Sequence, residues 1–300
     1  MSVHVSPETG AAVSHLSGLA EIARRYDGFL LDQWGVLHDG TTPYPGAVDC
    51  LERLRSAGKA IIILSNSGRG ARENEELLAR MGFARELFDH VVSAGDDARD
   101  ALLTEQHPFY RDLGRRCFLF ARDGEDHLIE GLGLTRVEST EDADFLFMLS
   151  MNPPQQSLAG WRPVLEAAVA RDLPMICGNP DLYRVHADGT LHEAPGLVAR
   201  CYAGLGGRVR YHGKPEPRIY RSSLQRLGLA PRRVLAVGDS LEHDVAGATG
   251  AGIDVAFIAG GIHRQDLGWP TPDTVDHASC ARLFATAGWK PGYVVPAFAW

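Results

Sequence analysis

Apolar residues along this chain gather in short continuous runs, and each run closes on a polar residue. Phe29-Leu30-Leu31 ends at Asp32, Ala60-Ile61-Ile62-Ile63-Leu64 at Ser65, and Val91-Val92 at Ser93. Between these runs, residues 47–57 and 70–81 read as helices that stop near Gly58 and Gly82, where glycine ends a helix most easily. Residues 14–26, with Leu16, Leu19, Ile22 and Ala23 at helical spacing, read as a further amphipathic helix. The first twelve residues, small and polar, read as loose.

Strand alternating with helix predicts an α/β fold with a mostly parallel sheet. Unbroken apolar runs predict strands buried on both faces. In such sheets the ligand site lies outside the carboxyl ends of the strands, so Asp32, Ser65 and Ser93 mark the expected edge. A second set of elements follows. Cys117–Phe120, Phe145–Leu149 and Met175–Cys177 read as strands and residues 160–171 as a helix. The first pattern then resumes with a helix over 218–228, a strand Val234–Val237 running into Gly238-Asp239, a helix over 242–250 and a strand Val255–Ile258. The expected architecture is a core in two parts, residues 1–97 and 208–300, interrupted by a smaller α/β unit over 98–207. The stretch beyond about residue 284 carries no clear pattern.

Composition narrows the function classes. The 300 residues are 45% hydrophobic and 23% charged, which is ordinary for a globular protein. A net charge of −8 argues against a general nucleic-acid binder. No run approaches the roughly 20 apolar residues of a membrane span, and no secretory leader is visible, so a cytoplasmic protein without a membrane partner is expected. Cys50, Cys117, Cys177, Cys201 and Cys280 are scattered and odd in number, which fits reduced thiols rather than a disulfide framework or a structural zinc site. His186 and His192 lack a metal-binding frame. Gly207 to Lys214 misses the phosphate-loop spacing by one residue, and Gly238 to Glu242 fails the nucleophile-elbow pattern.

Four segments converge on the expected edge: Asp32-Gln33-Trp34-Gly35-Val36-Leu37, Ser65-Asn66, Gly213-Lys214-Pro215 and Gly238-Asp239-Ser240-Leu241-Glu242-His243-Asp244. Asp32, Asp239 and Asp244 make an oxygen-rich place for Mg²⁺. A hydroxyl and a lysine hold the remaining oxygens of a phosphate, and a metal-neutralised aspartate can attack phosphorus.

The ordered set Asp…Ser…Lys…GDxxxxD resembles the haloacid-dehalogenase (HAD) superfamily. The insertion between the second and third motifs, with Pro45-Gly46-Ala47 and Asn179-Pro180-Asp181, is similar to class IIA, the NagD-like phosphatases with a C2 cap. The likeness covers roughly residues 27–262. It implies a Rossmann-like core and an Mg²⁺-dependent hydrolase acting on a small phosphorylated metabolite. Asp32 becomes the nucleophile. The metal is held by Asp32, the carbonyl of Trp34 and Asp239, with Asp244 either binding it directly or standing just behind its ligands, and the phosphoryl group is held by Ser65, Asn66 and Lys214. Asn179 and Asp181 face the substrate from the cap, and Tyr183, Arg184 and His186 after them are either solvated loop residues or substrate selectors. A cap-mediated homodimer is a further expectation.

Trp34 departs from the family pattern, which has a second Asp there to protonate the leaving oxygen. Indole cannot exchange protons that way. General acid–base catalysis is worth about 10²–10⁴-fold, or roughly 3–5 kcal/mol. Three readings stay open: His38 or Asp39 supplies the proton, the leaving group needs little help, or the protein binds a phosphometabolite with weak turnover. A metal-independent dehalogenase, which also carries an aromatic residue here, is disfavoured by the Asp239 and Asp244 pair.

Overall fold

A computed structural model of the chain describes residues 12–122, 125–185, 190–268 and 275–300; His186 lies outside them. In chain order the strands are β1 (Ser14–His15), β2 (Gly28–Leu31), β3 (Ala60–Ser65), β4 (His90–Ser93), β5 (Arg116–Phe120), β6 (Thr135–Val137), β7 (Phe145–Met148), β8 (Met175–Cys177), β9 (Tyr183–Val185), β10 (Leu191–Glu193), β11 (Val209–Tyr211), β12 (Val234–Gly238), β13 (Asp254–Ile258) and β14 (Tyr293–Val295). The helices are α1 (Ala47–Ser56), α2 (Ala71–Arg80), α3 (Ala94–Thr104), α4 (Pro108–Arg111), α5 (Leu158–Ala170), α6 (Pro195–Gly204), α7 (Pro217–Leu227), α8 (Ala246–Gly250) and α9 (His277–Ala287).

Seven strands form one parallel sheet in the order β1-β14-β13-β12-β2-β3-β4. Its unbroken apolar runs feed two cores, because successive side chains point to opposite faces. Phe29, Leu31, Ile61, Ile63, Leu235 and Val237 enter one layer, while Leu30, Ile62, Leu64, Val234 and Ala236 enter the other. Register then aligns the strand ends: Leu31 pairs with both Val237 and Ile63, and Ser65 with Ser93. Asp32 and Asp239 therefore emerge at one edge.

The inserted unit has its own parallel sheet, β11-β8-β7-β5-β6, and an antiparallel pair β9-β10. This sheet reaches Tyr211, beyond the expected boundary at 207. Helices α5 and α6 cover one of its faces, through Leu165, Ala168, Val198 and Tyr202. Ala98 of α3 packs on the other, among Cys117, Phe145 and Ile176. Among the described residues no helix is long and apolar enough to cross a membrane.

Two expectations are corrected. Residues 14–26 are not one helix but strand β1 followed by two 3₁₀ turns, Leu19–Glu21 and Ala23–Arg25. Pairing with the far end of the chain overrides the helical spacing: Leu16 N donates to Val294 O at 2.9 Å and Leu19 N to Ala299 O at 2.8 Å. The patternless stretch after residue 284 supplies β14, which is inserted between β13 and β1. Phe298 beyond it is 1% exposed and belongs to the Phe29 core layer. Phe298→Ala is expected to cost about 3–5 kcal/mol, read as a lowered urea midpoint.

Candidate active site

Asp32 follows β2, and its backbone N donates to Val237 O at 2.9 Å, which locks the first motif to β12. Asp32 Oδ1 accepts from Gln33 N at 2.8 Å and faces Lys214 Nζ at 2.7 Å. The same ammonium donates to Asp244 Oδ1, also at 2.7 Å. Asp244 Oδ2 accepts from Ser240 N at 3.1 Å, and Asp239 Oδ2 from Ile262 N at 2.7 Å. Ligand oxygens of Asp32, Asp239 and Asp244 all lie within 4.8 Å of one another.

This cluster dictates its local backbone. Gly35 has φ +85°, and a Cβ there would lie 1.9 Å from Asp239 Oδ2. A Cβ on Gly238 would lie 2.0 Å from Asp244 Cγ. The expected helix over 242–250 opens as a single π-helical turn, Leu241–Val245, with Val245 N donating to Ser240 O at 3.1 Å. That wider turn, a form common at functional sites, brings Asp244 back against the end of β12.

The electrostatics follow from burial. Lys214 is 2% exposed. Burial works against its charge, but Asp244 and Asp32 outweigh that and hold the ammonium above the ordinary lysine range. Burial pushes the Asp32 carboxyl up, with Lys214 pulling against it and Asp244 adding to the push. Burial and the neighbouring Asp32 and Asp244 raise Asp239 well above the carboxylate range. Three carboxyl groups share one ammonium, and the upward push on Asp32 and Asp239 reflects a cluster short of positive charge.

Asn66 ties the pieces together. Its Oδ1 accepts from Lys214 N at 2.7 Å, and its Nδ2 donates to Asp181 Oδ1 at 2.8 Å and Lys214 O at 3.3 Å. Ser65 Oγ donates to Gln33 Oε1 at 3.3 Å and accepts from Ser67 N at 3.2 Å. A cavity of about 330 Å³ opens over the cluster, lined by Asp32, Trp34, Ser65, Asn66, Asp181, Tyr183, Arg184, Lys214, Asp239 and Asp244. Asn179 lines an adjoining, smaller cavity of about 100 Å³.

His38 and Asp39 line neither cavity. His38 is fully buried, with Nδ1 accepting from Gly40 N at 3.0 Å. Burial lowers its pKa to about 4, with Asp39 opposing weakly. Burial tends to raise Asp39, but the backbone and hydroxyl donors of Thr41 and Thr42 prevail and hold it at about 2. Neither group holds a proton to give near neutral pH. Trp34 packs edge-to-face with His38 at 5.7 Å, and its ring lies over Gly40. It forms a wall shared by both cavities.

Sequence reasoning missed Gln33, Arg69, Arg122, Arg200 and His243, which also line the cavities. The strand-end rule applied to the second sheet would have found Arg122, just past β5. His243 Nδ1 lies 3.4 Å from Asp181 Oδ1 and 3.3 Å from Ser240 Oγ, a second link between core and insert.

The neutrality of His38 has a measurable consequence. Between its ordinary value of 6.5 and about 4, the unfolded chain binds a proton that the folded chain refuses. Its contribution to stability is therefore full above pH 6.5 and lost as pH falls toward 4, up to about 3 kcal/mol. Urea unfolding at stepped pH is expected to show this loss in the wild type and not in His38→Gln.

Known proteins resemble this chain in sequence and fold. The model of haloacid dehalogenase-like hydrolases matches residues 29–135, and a HAD-hydrolase-like model matches 211–279, together more than half of the chain. Human chronophin is 27% identical over 83% of this chain and 86% of its own length. D-glycerol 3-phosphate phosphatase of Mycobacterium tuberculosis is 26% identical over 82% of this chain and 66% of its own. The crystal structure of a haloacid dehalogenase-like hydrolase from Brucella suis superposes with a TM-score of 0.79 at 29% identity, covering 94% of this chain and 99% of that one. Carboxylates at the strand ends, the lysine between them and an α/β unit inserted between the second and third motifs mark this chain as a member of the haloacid dehalogenase-like hydrolases, in the class IIA arrangement.

Proposed function

We propose that the protein is an Mg²⁺-dependent phosphatase of a small phosphorylated metabolite, working through an aspartyl-phosphate on Asp32. The observation that carries this reading is the Lys214 ammonium held 2.7 Å from both Asp32 and Asp244, under a cavity walled by the insert. The names of the relatives, phosphatases among them, point the same way.

Asp32 presents Oδ2 for attack, since Oδ1 is occupied by Gln33 N and Lys214. The new Asp32–phosphorus bond forms as the bond to the leaving oxygen breaks. Water then cleaves the aspartyl-phosphate, releasing inorganic phosphate and restoring the carboxylate. Lys214, Ser65 and Asn66 bind the phosphoryl oxygens and orient the group. Asp32, Asp239 and Asp244 fit a divalent cation, being hard oxygen donors in a cluster short of positive charge. The family likeness adds the Trp34 carbonyl to that set. The chemistry Mg²⁺ supplies when bound is neutralisation of charge on phosphate and nucleophile. With Cys50, Cys117, Cys177 and Cys280 buried as free thiols and Cys201 partly buried, we place the protein in the reducing cytoplasm.

Because neither His38 nor Asp39 can act as the acid, leaving groups that depart without a proton are favoured. Phosphate release is expected with Mg²⁺, with loss to background in EDTA and in Asp32→Asn. Aryl and acyl phosphates are expected to turn over about 10²–10⁴-fold faster than simple alkyl esters. Release that survives Asp32→Asn would sink this reading.

A further inference from the structure

Beside the nucleophile's cavity lies the smaller one, and the two share Trp34, Ser65, Asp181 and Arg184 as walls. Three arginines line it from three separate elements: Arg69 after β3, Arg122 after β5 and Arg184 in β9. Glu125 restrains the first two. Arg69 donates to its Oε1 from Nε at 3.2 Å and Nη2 at 3.1 Å, and Arg122 Nη1 lies 3.8 Å away. Arg122 Nε also donates to Met151 O at 3.1 Å.

Arg184 is different. Its Nε is buried without a hydrogen-bond partner among the described residues. Burial lowers its pKa to about 10, and the charges that add to this are Arg122 and Arg69. Gln33, on the same cavity, is 3% exposed, and its Nε2 has no partner either. An unsatisfied buried donor is costly to the fold unless a ligand completes it. Two such donors and three guanidinium groups line one small space, which the Asp181 carboxylate also borders, and such groups are the usual partners of carboxylate and phosphate.

We propose that this cavity is a subsite for a second anionic group, a carboxylate or a phosphate, carried by the leaving group of the substrate. The proposal rests on the phosphatase reading for the first site, and it narrows the substrate class to bis-anionic metabolites: phosphorylated acids or bisphosphates. The phosphoryl group sits between Asp32, Ser65 and Lys214. The rest of the molecule passes Trp34, and its far anion meets Arg184, Arg69 and Gln33.

The test is titration calorimetry of the Asp32→Asn protein with Mg²⁺, using matched pairs. One pair is 3-phosphoglycerate and glycerol 3-phosphate; the other is fructose 1,6-bisphosphate and fructose 6-phosphate. The first pair reads a carboxylate, the second a phosphate. In at least one pair the bis-anionic member is expected to bind tenfold tighter or more. Adding Arg184→Gln is expected to bring that ratio close to one, while Arg184→Lys retains part of it. Equal binding within both pairs, weak binding of all four included, overturns the subsite. So does a preference that survives both Arg184→Gln and Arg69→Gln in proteins with unchanged urea midpoints. Wild-type hydrolysis of p-nitrophenyl phosphate separates the two readings: turnover without the preference removes the subsite alone, and the preference without turnover removes the phosphatase alone.

Discussion

One buried ammonium between two carboxylates organises this molecule. Lys214 has almost no contact with solvent, and stripping water from a lysine and two aspartates is costly unless their geometry is held. The fold supplies that geometry from four directions. Strands β2 and β12 are adjacent and in register, so Asp32 and Asp239 start from fixed points. The π-helical turn returns Asp244 to the same place. Gly35 and Gly238 let backbone approach the carboxylates where any side chain would collide with them. The apolar strands on either side exclude water, and the low local polarity strengthens each charge–charge contact.

The lysine is also the point where core and insert are joined. It comes three residues after β11, the last strand of the second sheet, so its place depends on both bodies. On one side Asn66 grips its backbone N and O. On the other, His212 lies buried with Nδ1 2.7 Å from Asp97 Oδ2 and Nε2 3.0 Å from Tyr110 OH. Arg218 of α7 reaches the other Asp97 oxygen at 2.7 Å. Helix α3, which carries Asp97, packs into the second sheet through Ala98. A shift of the insert on the core would therefore be felt at the nucleophile through Gly213 and Lys214, and at Asp181 through Asn66 and His243.

The parts of this arrangement legible in the sequence were those with a local cause. Continuous apolar runs closing on Asp32 and Ser65 mark the strands, their burial and the site edge, because a parallel sheet imposes all three together. What stayed hidden depended on partners far along the chain. Strand β1 and the turns after it form because Leu16 and Leu19 pair with residues near Val294 and Ala299, and two- or three-residue strands leave no periodic trace. The sequence offered Arg184 as a substrate-facing residue, but its grouping with Arg69 and Arg122 is invisible for the same reason, since three separate elements bring them to one space. His38 fails as an acid for a tertiary reason as well, its burial, whereas Asp39 is held ionised by the local Thr41–Thr42 turn.

Trp34 links the missing acid to the second cavity. At the position where relatives are expected to hold a proton donor, this chain has an apolar wall between the phosphoryl site and the arginines. Binding energy from a part of the substrate that does not react can lower the barrier when it aligns the reacting group. A second anion held by Arg184 would fix the leaving group against Trp34 and keep the phosphorus in line with Asp32 Oδ2. Positive charge from the arginines would also lower the basicity of the departing oxygen, reducing its demand for a proton. The aromatic substitution and the arginine cluster are then two halves of one solution, in which electrostatic positioning takes over from proton transfer.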